Sequence, residues 1–122
     1  MTTSLESLAN GQGPELQELL RLAGAEAARL GHHFVGTGHL ALAAIQGSPE
    51  HLANLAEARS RLEGTLGRGT AAPSDPLQAT PRLAQLVEEC RETSGTDDAG
   101  ASDVLKSIRR LEPAVARSVL GR

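Results

Sequence analysis

The strongest constraint on this chain is a run of six apolar residues at positions 40–45, Leu-Ala-Leu-Ala-Ala-Ile, held between two glycine-bearing turns. Upstream, Gly31 can take the left-handed conformation that closes a helix, and Thr37 is placed to cap the next one. Downstream, Gly47-Ser48-Pro49 breaks it. A helix with no polar face must be buried on all sides. Residues 30–45, LGHHFVGTGHLALAAI, therefore read as a helical corner whose second arm is central, and the rest of the chain has to wrap it.

The wrapping material is Leu and Ala, 19 of each, with five Val, two Ile, no Trp or Tyr, and Phe34 as the only Phe. Small and γ-branched side chains suit close helix packing, and scarce β-branched residues argue against a sheet, so the expected class is all-α. At 122 residues the chain is one domain by size, long enough to bury roughly 65% of its unfolded surface.

Spacing predicts the surrounding helices. A capping box at Thr3-Ser4-Leu5-Glu6 and a stop at Asn10-Gly11 frame a short first helix. Pro14 opens a long one with Leu16, Leu19, Leu20, Ala23, Ala27 and Leu30 on one face, and with Glu15, Glu18, Arg21, Glu26 and Arg29 mostly opposite. After a helical turn at 49–52, Asn54 and Glu57 frame a helix carrying Leu55, Ala58, Leu62 and Leu66, ended by Gly67 and Gly69. Residues 67–79 read as a linker. Thr80-Pro81 starts a helix with Leu83, Leu86, Val87 and Cys90 that stops at Gly95. Ser102 caps one with Val104, Leu105, Ile108 and Leu111, and a last helix after Pro113 carries Val115, Val119 and Leu120.

The two halves align weakly but in order. Gly13-Pro14 matches Thr80-Pro81 at an offset of 67, and Gly36 and Leu40 match Gly100 and Val104 at 64. Such an offset implies an internal duplication of a helix-corner-helix unit.

Candidate chemistry is thin. His32, His33, His39 and His51 lack a carboxylate or thiolate at ligand spacing, so they read as histidines bonding the turn backbone and no metal is expected. Cys90 sits on an apolar stripe, a packed thiol with no base beside it. The pair Asp97-Asp98 reads as a solvated turn. Nucleotide-binding glycine patterns are missing, and the sole lysine, Lys106, follows Leu105 and not Gly. No catalytic residue and no cofactor is expected.

A net charge of −3 makes nucleic acid an unexpected partner, although Lys106, Arg109, Arg110, Arg117 and Arg122 leave a small helical DNA-binding regulator as the alternative. No run of 18 apolar residues predicts a membrane span, and one cysteine excludes an internal disulfide. The expected setting is the cytoplasm.

The corner LGHHFVGTGHLALAAI resembles the signature of the Clp N-terminal (Clp R) repeat domain of Clp-type AAA+ unfoldases, which typically reads LGHNYIGTEHILLGLI. Leu30, Gly31, His32, Gly36, Thr37, His39, Leu42 and Ile45 match, with conservative changes at Phe34, Val35 and Leu40. Ala23, Glu26 and Ala27 fit the family's AQEEA helix end, Glu63 and Gly67-x-Gly69 fit the end of its first repeat, and Thr80-Pro81-Arg82 fits the TPR opening its second.

The resemblance implies a single domain over 1–122 made of two pseudo-symmetric four-helix repeats in a small right-handed orthogonal bundle of about seven helices. Its parts would be an extension at 1–12, a first repeat at 13–69, a linker at 70–79 and a degenerate, truncated second repeat at 80–122. Leu5 and Leu8 would then cover the surface left by an absent last helix. The chain would be a stand-alone, ATPase-lacking protein-binding module, an accessory or regulator of Clp-dependent proteolysis and not an enzyme. Its grooves beside Phe34, Val35 and Leu40, and beside Thr80, Pro81, Arg82 and Leu83, would engage a Clp unfoldase, its adaptor or a substrate segment. In family members that receive phosphoarginine, a Glu in each GTEH and a Thr capping each first helix hold the tag. Those positions here are Gly38 and Ser102 for Glu, and Gly13 and Thr80 for Thr. Without the carboxylates nothing pairs a guanidinium, and phosphoarginine reception is not expected.

Overall fold

A computed structural model describes residues 3–47, 54–67, 69, 77–95 and 100–120, with the side chains of Thr3 and of residues 118–120 outside the description. The expected turn at 49–52, His51, Asp97, Asp98, Arg122 and the burial of Val119 and Leu120 lie outside the described residues. Seven helices are seen among those described: α1 Leu5–Asn10, α2 Pro14–Arg29, α3 Thr37–Gln46, α4 Leu55–Leu66, α5 Pro81–Ser94, α6 Ala101–Leu111 and α7 Pro113–Leu120. The all-α reading holds.

The apolar run explains the arrangement. Every residue of α3 from Thr37 to Ile45 is buried, and α3 packs against α2, α4, α5, α6 and α7. One core results, joining Leu16, Leu20 and Ala27 of α2 to Leu83 and Val87 of α5 and to Val104 and Ile108 of α6. Leu111, expected on the buried face of α6, is instead 40% exposed at the helix end.

Glu26 also departs from expectation. It is 4% exposed, because its carboxylate accepts from Arg59 Nε and Nη2 of α4 at 2.9 and 2.8 Å and from Gln46 Nε2 at the end of α3 at 3.2 Å. Arg29 lies 3.5 Å away. A carboxylate can leave water on these terms because both of its oxygens find donors, one of them a guanidinium.

The glycine stops behave as their lack of a side chain dictates. Gly31, Gly67 and Gly95 have φ of 72°, 74° and 72° and follow α2, α4 and α5. Helix starts were harder to place. Ser4, not Thr3, caps α1 by accepting from Ser7 N–H at 3.2 Å, and Thr80 caps α5 by accepting from Leu83 N–H at 3.1 Å as expected. Asn54 precedes α4 without a side-chain cap.

Neither Thr37 nor Ser102 is an N-cap. Those positions belong to Gly36 and Gly100, and the residue three further on reaches back instead. His39 Nδ1 accepts from Gly36 N–H at 2.9 Å, and Asp103 Oδ2 accepts from Gly100 N–H at 3.2 Å.

Three two-residue strands were not expected: β1 Thr3–Ser4, β2 Phe34–Val35 and β3 Gln78–Ala79. The central strand β3 comes from the end of the stretch read as linker. It pairs antiparallel with β1 and parallel with β2, fixing the α2–α3 corner to the start of α5. Gln78 N–H donates to His33 O at 3.1 Å and Thr80 N–H to Val35 O at 3.1 Å.

Helix α1 lies on α2 and β3. Gly24 permits the approach, since a Cβ there would sit 2.7 Å from Leu5 Cδ2. Leu5 and Leu8 are partly buried against the core, and deleting residues 1–10 would expose that surface and leave β3 without its β1 partner. The expected loss is about 2 kcal/mol, read as a fall in melting temperature of at least about 5 °C. An unchanged melting curve would contradict the packing role of α1.

Candidate functional site

Four chain segments meet around one cavity of about 470 Å³: Phe34 and the first turn of α3, the end of α4 at Leu62, Thr65 and Leu66, the start of α5 at Thr80, Pro81 and Arg82, and α7 at Ala114 and Val115. Its walls are largely apolar. Phe34 and Leu66 are each 42% exposed, and among the described residues they are two of three large apolar side chains so exposed. Large apolar groups left in water beside a concave surface mark a binding site more often than a structural one.

The expected binding residues divide sharply. Phe34, Thr80, Pro81 and Arg82 line this cavity together, so the two grooves inferred separately from sequence are one. Val35, Leu40 and Leu83 do not line it; each is 0% exposed, in the core beneath. The reason is alternation: Phe34 points out of a strand and Val35 inward, while Leu40 belongs to the all-buried α3 and Leu83 turns inward three residues after Thr80. Of the four positions where the resemblance places tag-holding groups, Gly38 and Thr80 line the cavity.

Sequence reasoning missed Leu62, Thr65, Leu66, Ala114 and Val115. They arrive through packing of α4 against α7, a long-range contact with no local signal.

Gly38 is glycine for a spatial reason. A Cβ there would stand 2.7 Å from Leu62 Cδ1, so the leucine occupies the space a side chain would need. A Gly38→Glu variant must displace Leu62 and bury a carboxylate. It is expected to lose about 2 kcal/mol, seen as a lower urea midpoint, and a midpoint equal to or above that of the parent protein would contradict the account.

Beneath the cavity runs a chain of hydrogen bonds through two histidines. His39 Nδ1 accepts from Gly36 N–H, so the proton of the neutral ring is on Nε2. That atom is 2.9 Å from His32 Nδ1, to which it donates. His32 then carries its own proton on Nε2 and donates to Gly67 O at 2.8 Å.

The chain joins the start of α3 to the end of α4. Phe34 stacks on His32 with ring centroids 5.4 Å apart and meets His39 edge-on at 5.9 Å. Burial first, then the neighbouring His32, pushes His39 down to about 4, opposed by Glu26. Both rings are spent on structure, and no group of three or more metal-ligating side chains occurs among the described residues.

Elsewhere the chemistry is quiet. Burial pushes the Cys90 thiol up, away from a reactive thiolate. Of the basic C-terminal set, Arg110 is tied to Glu89; outside it, Arg82 on α5 pairs with Glu112 at 3.1 Å. No helix of the described residues is long and apolar enough to cross a membrane.

Comparison with known proteins gives this geometry a family. The model of the Clp repeat (R) N-terminal domain matches residues 13–104, and the chain belongs to that family. It is 32% identical over 115 residues to the chloroplastic chaperone protein ClpC of Pisum sativum and to the chloroplastic chaperone protein ClpC1 of Arabidopsis thaliana, covering 84% of this chain and 12% of each relative. A ClpA homolog of Porphyra purpurea, named as the ATP-binding subunit of an ATP-dependent Clp protease, is 32% identical over 114 residues, with 84% and 14% covered. The chain thus spans only a small fraction of the relatives it matches.

Proposed function

We propose that this domain is a non-catalytic docking module that receives a segment of a partner protein in the cavity between Phe34, Leu66 and Thr80–Arg82. The observation that carries the reading is the cavity itself: about 470 Å³, apolar, and flanked by two exposed large apolar side chains. The partner is a Clp unfoldase, its adaptor or a substrate segment, and the role is that of an accessory or regulator of Clp-dependent proteolysis in the cytoplasm. Family membership supports a Clp-related interaction module. Leu62 in the space beside Gly38 supports an apolar preference over a guanidinium.

Leu66→Glu tests this without attacking the core, since Leu66 is already 42% exposed. A carboxylate on the cavity wall is expected to weaken partner binding at least about tenfold, the size of losing one buried apolar anchor, while circular dichroism and melting temperature stay close to those of the parent protein. Unchanged binding by calorimetry would remove the cavity from the interface.

A further inference from the structure

We propose that the cavity takes the C-terminal residue of a protein chain, its apolar side chain against Phe34, Leu62 and Leu66 and its α-carboxylate at the N-terminus of α3, beside Thr37 and Arg82. The inference rests on the reading of this cavity as a docking site and names the class of segment it holds.

Three observations point to an anion at that end. Helix α3 is ten residues long and begins without a side-chain cap on its first-turn N–H groups, whereas α5, the other helix starting at the cavity, has its Leu83 N–H taken by Thr80. An uncapped helix start carries partial positive charge and free donors. Thr37, on the cavity wall, is 7% exposed, and no hydrogen bond of its hydroxyl is seen among the described residues. A hydroxyl on the wall of a cavity can donate to an anion bound there.

The charge of the wall agrees. Among the described residues that line the cavity, Arg82 is the charged one and none is a carboxylate. Its Nη1 reaches both oxygens of Glu112 at 3.1 Å, while its side chain remains 76% exposed, leaving Nε and Nη2 to meet a second anion.

An α-carboxylate fits better than an internal Asp or Glu. Apolar walls and anion donors belong to one small cavity, and a terminal residue carries both an apolar side chain and a charge on the same Cα. A continuing chain would bring a further peptide N–H and C=O against apolar walls that offer them few partners.

The test uses fluorescein-labelled Gly-Ser peptides ending in Leu, as the free acid, as the C-terminal amide, and with the Leu followed by Asp and an amide cap. Anisotropy titrations are run on the full chain and on Thr37→Val and Leu66→Glu. The free acid is expected to bind at least about tenfold more tightly than the amide, the scale of a charge-assisted hydrogen bond, and more tightly than the Asp-capped peptide. Thr37→Val, which removes that hydroxyl and should leave folding intact, is expected to shrink the acid-to-amide ratio without weakening the amide. Leu66→Glu should weaken all three.

Equal affinity for acid and amide, with both lost in Leu66→Glu, would overturn the carboxylate inference and leave apolar docking standing. Asp-capped peptide binding as tightly as the free acid would overturn it in favour of an internal acidic segment. No binding of any peptide would overturn it outright, with the docking reading then decided by whether Leu66→Glu weakens the protein partner.

Discussion

Gly31→Ala is expected to destabilise the domain by roughly 3 kcal/mol, read as a lower urea midpoint. Two costs add there. The backbone has φ of 72°, and an added Cβ would lie 2.5 Å from Gly69 O, a backbone atom that cannot swing aside as a side-chain tip can. The approach is mutual, because Gly69 N–H donates to Leu30 O at 2.8 Å. Gly95→Ala separates the two costs. Gly95 has the same φ of 72° but, among the described residues, nothing within 4 Å of an added Cβ, so it should lose only about 1 kcal/mol. Equal losses in the two variants would show that the Gly31–Gly69 approach contributes nothing.

Acid is expected to weaken the fold through His39. Neutral in the folded state down to about pH 4, this ring takes a proton in the unfolded chain near its ordinary value of about 6.5. Between those limits the unfolded state binds more protons. Stability from this group is therefore complete above the unfolded value, falls as pH drops from about 6.5 towards 4, and levels off below. The full window corresponds to about 3 kcal/mol.

The geometry gives the same sign. A second proton on His39 would put Nδ1–H against Gly36 N–H and break the link to α3. His39→Asn keeps a short acceptor for Gly36, as Asp103 does for Gly100, and removes the titration. It should be less stable at pH 7 but lose less on acidification. Urea midpoints of parent and variant that fall in parallel from pH 7 to 4 would contradict this.

What was legible in the sequence follows from the range of the forces involved. The all-buried α3 could be read because six successive apolar residues admit no other solution, and the stops at Gly31, Gly67 and Gly95 because only glycine takes positive φ cheaply. The caps of α3 and α6 were misplaced, by one residue at Thr37 and by two at Ser102. The rule for helix starts looks for Ser, Thr, Asp or Asn at the cap, while here His39 and Asp103 reach back to glycine caps from the third helical position.

Strands of two residues carry no alternation to detect, so β3 hid inside what read as linker. At the site, Phe34 and Thr80–Arg82 were found through the resemblance, but burial of Val35, Leu40 and Leu83 and arrival of Leu66 and Val115 depend on tertiary packing. The corner of residues 30–45 lines the proposed docking cavity at its exposed edge and uncapped helix start, not at its apolar run.

The most direct test of the docking account places a photo-crosslinking amino acid at Leu66, with a second version at Lys106 on the exposed face of α6 as control, in the native cell. The account predicts crosslinks from position 66 to a Clp unfoldase, its adaptor or a substrate bound to them, and none of these from position 106. Crosslinks to Clp components from position 106 with none from position 66 would contradict it.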